Sequence, residues 1–272
     1  MLGRLIVALA LTLASANAAA QGPDLVFAVT EGVTYQATPK EIRDRFAALA
    51  EVLSRSLHRN VRTVIVPAYD DLRAGLARQE YDVAFVHPAH VAMAEIKAGR
   101  YKAAAWTAGF TDYSVSLMMT PEQPLKAIGD LKGRTIVTPD PDSITAVMVR
   151  AMFREQKFGN ADVKVVTTRY QDAVPFYLEH GFAQVGATAA KSVVKTWTDK
   201  GGKVLTQSRP VPIKQVIVST RLSPAEQDRI REELLTLGDT KPGKNALAML
   251  GYRGFAAPAP ELEATTIAWL GL

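Results

Sequence analysis

The sequence predicts an α/β fold with two lobes and a ligand cleft between them. Short β-type runs alternate with amphipathic helical segments from Asp24 onward, a pattern typical of largely parallel sheets flanked by helices. The 272 residues are enough for two compact lobes, each with its own core. Irregular segments near Thr111-Asp112 and over 210–212 separate the strand–helix units. The chain would cross twice between the lobes, and the carboxyl ends of the strands would face the cleft.

The composition is that of an ordinary globular protein, with 48% hydrophobic and 22% charged residues. The net charge of +5 comes from scattered lysines and arginines, without the basic runs that mark a nucleic-acid-binding arm. We therefore expect no nucleic-acid partner, and we attribute the charge to solubility and to some attraction of anions. There is no cysteine, which excludes disulfides, thiolate metal sites, a cysteine nucleophile and a lipid-anchored lipoprotein.

The first twenty residues predict a cleavable secretory signal peptide. Arg4 gives a short basic start, an apolar core follows over 5–13, and small residues come next. Cleavage after Ala18 and cleavage after Ala20 both fit the A-x-A pattern. No later segment reaches the length of a membrane helix. We expect the mature protein to be exported, not inserted in a membrane, and periplasmic in a bacterium.

The first lobe is predicted to contain four strands, over 24–29, 61–66, 82–86 and 101–106. A helix after the first strand has Thr38 as its cap, Pro39 in the first position and Glu41 three residues after the cap, which is a capping box. A second helix runs from Tyr69 to Arg78, and a third follows the third strand. These units predict a largely parallel sheet.

The second lobe is predicted to repeat this strand–helix pattern, with strands over 114–120, 134–137, 163–167 and 183–186. Its helices start at Ser143, near Asp172 and near Ala189. A strand over 215–220 and a helix capped by Ser223 then return to the first lobe. The predicted bounds are a signal peptide over 1–20, a first lobe over 21–112 plus 213–272, and a second lobe over 113–212.

The segment 138–152 is the strongest candidate for a binding site. A strand ends in a turn rich in proline and aspartate, and a helix begins at Ser143, a natural N-cap. The free N–H groups at the helix start, the hydroxyls of Ser143 and Thr145, and the helix dipole can together hold an oxyanion. The alternative is that Ser143 only caps its own helix.

Several motifs resemble a known protein family. DVAFVHPAHV, YSVSLMM and PLKAIGDLKGRTIVTPDPDSITA are similar to periplasmic substrate-binding proteins of phosphate, phosphite and phosphonate ABC importers. KQVIVSTRLSPAEQDRIREELLTL and LAMLGYRGFAAP follow in the order of that family, so the resemblance covers essentially the whole mature chain. It implies a type II periplasmic-binding fold that closes on a tetrahedral oxyanion and delivers it to an inner-membrane permease. We expect a monomer without a cofactor.

The resemblance also implies an anion-binding loop. The family's Asp-Pro-x-Ser-Thr-Ser-Gly loop falls on 140–146, where Ser143 and Thr145 keep hydroxyl groups. Ile144 and Ala146 depart from the pattern, so one side-chain donor and the glycine at the helix start are lost. These departures weaken or reshape the expected grip on the anion, and they leave room for a ligand without phosphorus.

The same resemblance implies other site residues. Tyr69 and the hinge residue Tyr113 match tyrosines of the family, although either could also be a packing residue. His87 stands where the family often has glycine before proline, and Tyr170 replaces a histidine of the second lobe. The acidic residues that hold an amino group in aminophosphonate binders have no match over 185–188, which argues against such a ligand.

Several charged or polar residues have more than one possible role. Thr30 closes the first strand and could line the cleft, although the adjacent Glu31 would repel an anion unless it is paired. His87 and His90 make a poor metal site with only two ligands, so we predict no metal. We expect His87 to donate a hydrogen bond to an anion, either as a neutral or as a protonated ring. Arg169 is either a bidentate partner for the anion or a solvated side chain.

The sequence predicts binding rather than catalysis, because no Ser/His/Asp set, nucleophile elbow, phosphate loop or metal motif occurs. The predicted function is that of the solute-binding component of an ABC importer, which takes up phosphate, phosphite or a phosphonate by hinge closure. The alternatives are a periplasmic protein that reports a ligand to a membrane histidine kinase, and a binder of a non-phosphorus ligand.

Overall fold

The computed structural model of the chain describes residues 23–31 and 37–272. The predicted signal peptide lies outside this part of the chain. Within it, no helix combines the length and the apolar character that crossing a membrane requires. The strands of these residues form two sheets, one of six strands and one of five.

The first sheet contains the strands near both ends of the described chain. Its members are β1 (Leu25–Thr30), β2 (Val61–Ile65), β3 (Val83–Val86), β4 (Tyr101–Thr107), β10 (Gln215–Ser219) and β11 (Phe255–Ala256). They lie in the order β11-β4-β10-β3-β1-β2. β1 pairs in parallel with β2 and β3, whereas β10 is antiparallel to both β3 and β4.

The second sheet is formed by the middle of the chain. Its members are β5 (Ser116–Met119), β6 (Thr135–Thr138), β7 (Lys164–Thr167), β8 (Val185–Thr188) and β9 (Lys203–Gln207), in the order β7-β6-β8-β5-β9. β6 is parallel to β7 and β8, and β5 is antiparallel to β8 and β9. The predicted largely parallel sheet is therefore wrong in one respect. The first strand after each crossover, β5 in the second sheet and β10 in the first, runs antiparallel to its two neighbours.

Helices cover the faces of the sheets. They are α1 (Pro39–Leu57), α2 (Tyr69–Ala77), α3 (Ala89–Lys97), α4 (Ile144–Glu155), α5 (Val174–Glu179), α6 (Lys191–Asp199), α7 (Pro224–Leu235), α8 (Lys241–Leu250) and α9 (Pro260–Leu270). The capping boxes predicted at Thr38 and Ser223 are both present. Strand β9 and helices α8 and α9 were not predicted from the sequence pattern.

The connections between the two sheets are paired with each other. The chain passes from β4 to β5 through Phe110 and Tyr113, and it returns from β9 to β10 through Val211 and Ile213. Tyr113 and Val211 exchange backbone hydrogen bonds of 3.1 and 2.9 Å, and the Ile213 N–H donates to the Phe110 carbonyl at 3.0 Å. Two antiparallel connectors held together in this way form a short ribbon between the sheets. The lobe bounds given above remain a prediction.

Each sheet has its own apolar core. Phe27, Phe46 and Phe85 are fully buried in the core between the first sheet and α1. Leu117, Ile136 and Met148 are fully buried in the core between the second sheet and α4. The second core also takes Trp269 and Leu270 from α9, which packs on both α3 and α4. The last helix therefore packs against helices that flank both sheets.

The core under α4 gives a stability prediction. Met148→Ala removes a fully buried side chain and leaves a cavity, which should lower the free energy of unfolding by about 2–5 kcal/mol. Met249→Ala is the matched control, because Met249 is 42% exposed on α8 and its truncation should cost less than about 0.5 kcal/mol. Urea unfolding followed by circular dichroism measures both. Equal effects of the two substitutions would contradict this account of the core.

Candidate functional site

A cavity of about 560 Å³ lies between the two sheets and receives side chains from both. Tyr69 and His87 line it from the side of the first sheet, and Ser143 and Thr145 line it from the side of the second. Tyr113, in the connector ribbon, also lines it. Residues that follow β2, β3 and β6 thus line the cavity, as expected where ligands bind beyond the carboxyl ends of strands.

Ser143 caps the start of α4, as the sequence predicts. Ser143 is extended (φ −67°, ψ 148°), and its Oγ accepts a hydrogen bond from the Ala146 N–H at 3.2 Å. The turn before it is fixed because Asp140 Oδ1 accepts from the Asp142 N–H at 2.8 Å. Ser143 and Thr145 are 6% and 0% exposed. Since the first N–H groups of a helix have no acceptor one turn back, the start of α4 can offer buried donors where Ser143, Ile144 and Thr145 line the cavity.

Tyr113 and Thr145 form a hydroxyl pair on the cavity wall. Their oxygens are 3.0 Å apart, and Gln171 Nε2 donates to the Tyr113 hydroxyl at 3.1 Å. The Gln171 amide is held in this orientation because its Oε1 accepts from the Ala189 N–H and the Thr188 hydroxyl. Each of the two hydroxyl groups has one proton to donate, and the hydrogen bond between them uses one of these protons. The other proton is therefore available for a ligand oxygen. Burial raises the pKa of Tyr113, so its phenol stays protonated at neutral pH.

His87 lines the cavity as a neutral ring. Its Nδ1 lies 2.7 Å from the Glu31 carbonyl oxygen, which only accepts, so Nδ1 carries the proton. Burial, helped by the Lys214 charge, lowers the pKa of His87 to about 3. Nε2 of the neutral ring is then an acceptor. The structure gives no support to His87 as a cationic donor to an anion, because a neutral ring with this tautomer accepts at the remaining nitrogen.

A network of charged side chains lies behind the residues that line the cavity from the side of the first sheet. Arg45 Nη1 and Nη2 donate to the two carboxylate oxygens of Glu31 at 2.5 and 3.1 Å. The Tyr252 hydroxyl donates to Glu31 at 3.0 Å and accepts from Lys214 Nζ at 3.1 Å. Lys214 also lies 4.4 Å from the centroid of the Phe110 ring, which lines the cavity. Glu31 is thus paired, which removes the repulsion that an unpaired carboxylate would exert on an anion.

An ion pair joins α2 to the turn before α4. Arg73 on α2 lies 3.3 Å from a carboxylate oxygen of Asp142, in the turn before α4. The same guanidinium pairs with Asp70 at 3.0 Å and lies 5.9 Å from the centroid of the Tyr69 ring. Because Asp142 precedes Ser143, the contact links α2 directly to the candidate anion loop.

His90 is buried beside this ion pair. It is 5% exposed, and neither ring nitrogen has a hydrogen-bond partner among the residues that the structure describes. Burial lowers the pKa of His90 to about 3, with further contributions from the nearby charges of Arg73 and Arg150. The ring does not line the cavity, and a polar group buried in this way costs free energy.

The predicted site residues fall mostly on one surface. Ser143, Ile144, Thr145, Tyr69, Tyr113, His87 and Tyr170 all line the cavity. Thr30 does not; it is 2% exposed behind the wall, and its hydroxyl has no partner within the described part of the chain. Arg169 is exposed and stacks 5.2 Å from the Tyr170 ring centroid instead of entering the cavity.

Sequence reasoning missed four residues that shape the site: Arg73, Phe110, Gln171 and Lys214. Their roles depend on contacts between segments far apart in the chain, such as the 58-residue separation between Gln171 and Tyr113. Only Gln171 had a local signal, since it directly follows Tyr170, which the family resemblance had marked.

Buried His90 predicts an acid-sensitive stability. With a pKa near 3 in the folded protein and 6.5 in the unfolded chain, only the unfolded chain gains this proton between those values, so stability falls as the pH decreases from 6.5 toward 3. His90→Leu should flatten this pH dependence by about 1–2 kcal/mol between pH 6.5 and 5. Urea unfolding at several pH values measures the effect.

His58→Asn is the matched control for this measurement. His58 is exposed, and its left-handed backbone (φ 52°) suits asparagine. The free energy of unfolding of this variant should change with pH as steeply as that of the wild type. If His90→Leu also keeps the wild-type slope, the ring is not buried in the neutral state.

Solved structures share this fold at low sequence identity. XAC2383 from Xanthomonas citri, bound to ATP, has a TM-score of 0.75 and 14% identity over 91% of this chain and 97% of that one. PhnD1 from Prochlorococcus marinus, in complex with methylphosphonate, has a TM-score of 0.63 and 13% identity over 90% and 96%. The periplasmic aliphatic sulphonate binding protein SsuA from Escherichia coli has a TM-score of 0.58 and 12% identity over 90% of each chain.

The family comparison covers most of the chain. No curated protein matches this sequence. The family described as "ABC transporter, phosphonate, periplasmic substrate-binding protein" matches residues 32–262. The two-lobed arrangement around a cavity agrees with this match and with the fold of PhnD1 and SsuA. This chain belongs to the phosphonate-type periplasmic substrate-binding proteins of ABC transporters.

Proposed function

We propose that this protein is the solute-binding component of an ABC importer and that it binds a tetrahedral oxyanion at the start of α4. The observation that carries the proposal is the convergence of buried donors on one wall of the cavity. The Ser143 hydroxyl, the Tyr113–Thr145 hydroxyl pair and the first N–H groups of α4 all lie there. Donors of this kind at a helix start favour an anion both by hydrogen bonding and through the helix dipole.

The relatives of the same fold support this assignment. XAC2383 is described as bound to ATP, PhnD1 as in complex with methylphosphonate, and SsuA as an aliphatic sulphonate binding protein. Each of these ligands carries a tetrahedral phosphorus or sulfur oxyanion. The bound anion would contact the α4 start on one side and the first-sheet wall on the other, so that binding favours the closed arrangement of the lobes.

A thermal-shift panel tests the proposal. The purified protein is heated with phosphate, phosphite, methylphosphonate, methanesulfonate or ATP. An oxyanion at about a hundred times its dissociation constant should add about 2.7 kcal/mol to the stability. Ser143→Asp keeps a capping residue but brings a negative charge to the site, and Thr145→Val removes one hydroxyl without changing the shape. Both substitutions should abolish or strongly reduce the shift.

Ser223→Ala separates capping from binding in this experiment. Ser223 caps α7 through the Glu226 N–H, far from the cavity, so its loss should cost about 1 kcal/mol of stability while the ligand shift persists. If no anion shifts the melting curve, or if the Ser143 and Thr145 variants respond like the wild type, the site is wrongly assigned.

Closure predicts a second measurable effect. Arg73 and Asp142 join α2 to the turn before α4, and their side chains are 39% and 53% exposed, so their pairing should contribute about 0.2–1 kcal/mol. Arg73→Gln should therefore weaken binding of the oxyanion that the thermal-shift panel identifies by about 1.5- to fivefold at low salt, as titration calorimetry would record. High salt should erase the difference by screening.

Arg78→Gln is the control for closure, because the Arg78–Glu80 pair lies within the first lobe. It should leave the affinity unchanged. Equal effects of the two arginine substitutions would show that the change reflects net charge and not the contact between α2 and the turn before α4.

A further inference from the structure

We propose that two copies of this chain form a symmetric dimer through an exposed aromatic face of α5 and α6, in place of the monomer expected from the sequence. The face has two parts. The first is an aromatic ridge, which consists of Phe176, Tyr177, His180 and Phe182. The second is the groove between α5 and α6, which borders the ridge at Phe176. The inference concerns this face and does not depend on the proposed ligand.

The ridge exposes large apolar side chains in one cluster. Phe182 and Phe176 are 57% and 50% exposed, more than the other exposed large apolar side chains in the described part of the chain. The centroid of the Phe176 ring lies 4.1 Å from that of His180 and 6.0 Å from that of Phe182. The His180 ring is held because its Nδ1 donates to the Phe176 carbonyl at 2.9 Å. Clustered exposed aromatic rings are typical of protein–protein interfaces.

The groove beside the ridge is an apolar hollow of about 370 Å³. Its apolar lining consists of Pro175, Phe176, Val193 and Trp197. Trp197 is 5% exposed, and its orientation is fixed because Nε1 donates to the Met119 carbonyl at 3.1 Å. Phe182 does not line the groove of its own chain. The face therefore carries an exposed ring and an apolar hollow side by side.

A second copy of the chain suits this face because the face is self-complementary. Both copies use the same patch in a symmetric dimer, so the patch must present both a projecting group and the hollow that receives it. Phe176 belongs to the ridge and also lines the groove. A symmetry axis beside Phe176 places Phe182 of each copy over the groove of the other copy. A partner of a different sequence would need only one of these two features.

The charges of the face are self-complementary as well. Glu179 and Lys200 line the groove 4.0 Å apart, and their side chains are 46% and 67% exposed. In the dimer, Glu179 of each copy can face Lys200 of the other. Asp172 also lines the groove. With two carboxylates and one ammonium group, the groove is close to neutral on a chain of net charge +5, so two copies meet here with little repulsion.

Sedimentation equilibrium of the purified protein tests the proposal over about 1–500 µM, the range expected for a small interface. The wild type should show a reversible monomer–dimer equilibrium. Phe182→Ser should weaken the dimer at least about tenfold, because Phe182 is the aromatic anchor of the interface. Leu262→Ser is the matched control, since Leu262 is 41% exposed on α9, outside the face. A wild type that stays monomeric, or equal effects of the two substitutions, overturns the proposal and leaves the face to another partner, such as the permease.

Charge reversal tests the symmetric arrangement. Glu179→Lys brings a lysine opposite Lys200 of the second copy and should weaken the dimer at least about threefold at low salt. Adding Lys200→Glu restores opposite charges, so the double variant should dimerise within about twofold of the wild type. Asp44→Lys makes the same change of net charge on α1, outside the face, and should leave dimerisation unchanged. A double variant that dimerises no better than Glu179→Lys overturns the proposal.

Discussion

The pairing of the two connectors is the constraint on which the site depends. The backbone bonds between Tyr113 and Val211 fix the point at which the chain leaves one sheet and returns to the other. Because Tyr113 is part of that ribbon, its hydroxyl reaches Thr145 on α4 and Gln171 beyond β7. One residue thus connects the ribbon between the sheets to the donors of the candidate anion site.

Much of the fold could be predicted from the sequence because its signals are local. The cap at Thr38, the cap at Ser143 and the short apolar strands each depend on neighbouring residues, and the structure places them within one or two positions of the predicted ends. The antiparallel members of the two sheets could not be predicted in this way. Strand direction depends on which sheet a returning strand joins, and β10 joins the first sheet after 100 residues or more elsewhere in the chain.

The residues of the candidate site likewise fall into two groups: those that local sequence signals predict and those that only tertiary packing brings together. The hydroxyls of Ser143 and Thr145 follow from a helix start, so the sequence identified them, whereas Lys214 and Phe110 meet only through tertiary packing. His87 could be placed at the cavity but its protonation could not be predicted, because that depends on the Glu31 carbonyl and on burial. Pairing of Glu31 with Arg45 likewise requires the approach of α1 to the end of β1.

Helix α9 packs on α3 and α4 at once, and the Trp269 carbonyl accepts a hydrogen bond from Arg154 on α4 at 2.8 Å. A helix that packs on α3 and α4 ties the helices of the first sheet to those of the second. Any movement that separated the two sheets would have to break the contacts of α9 with one of these helices.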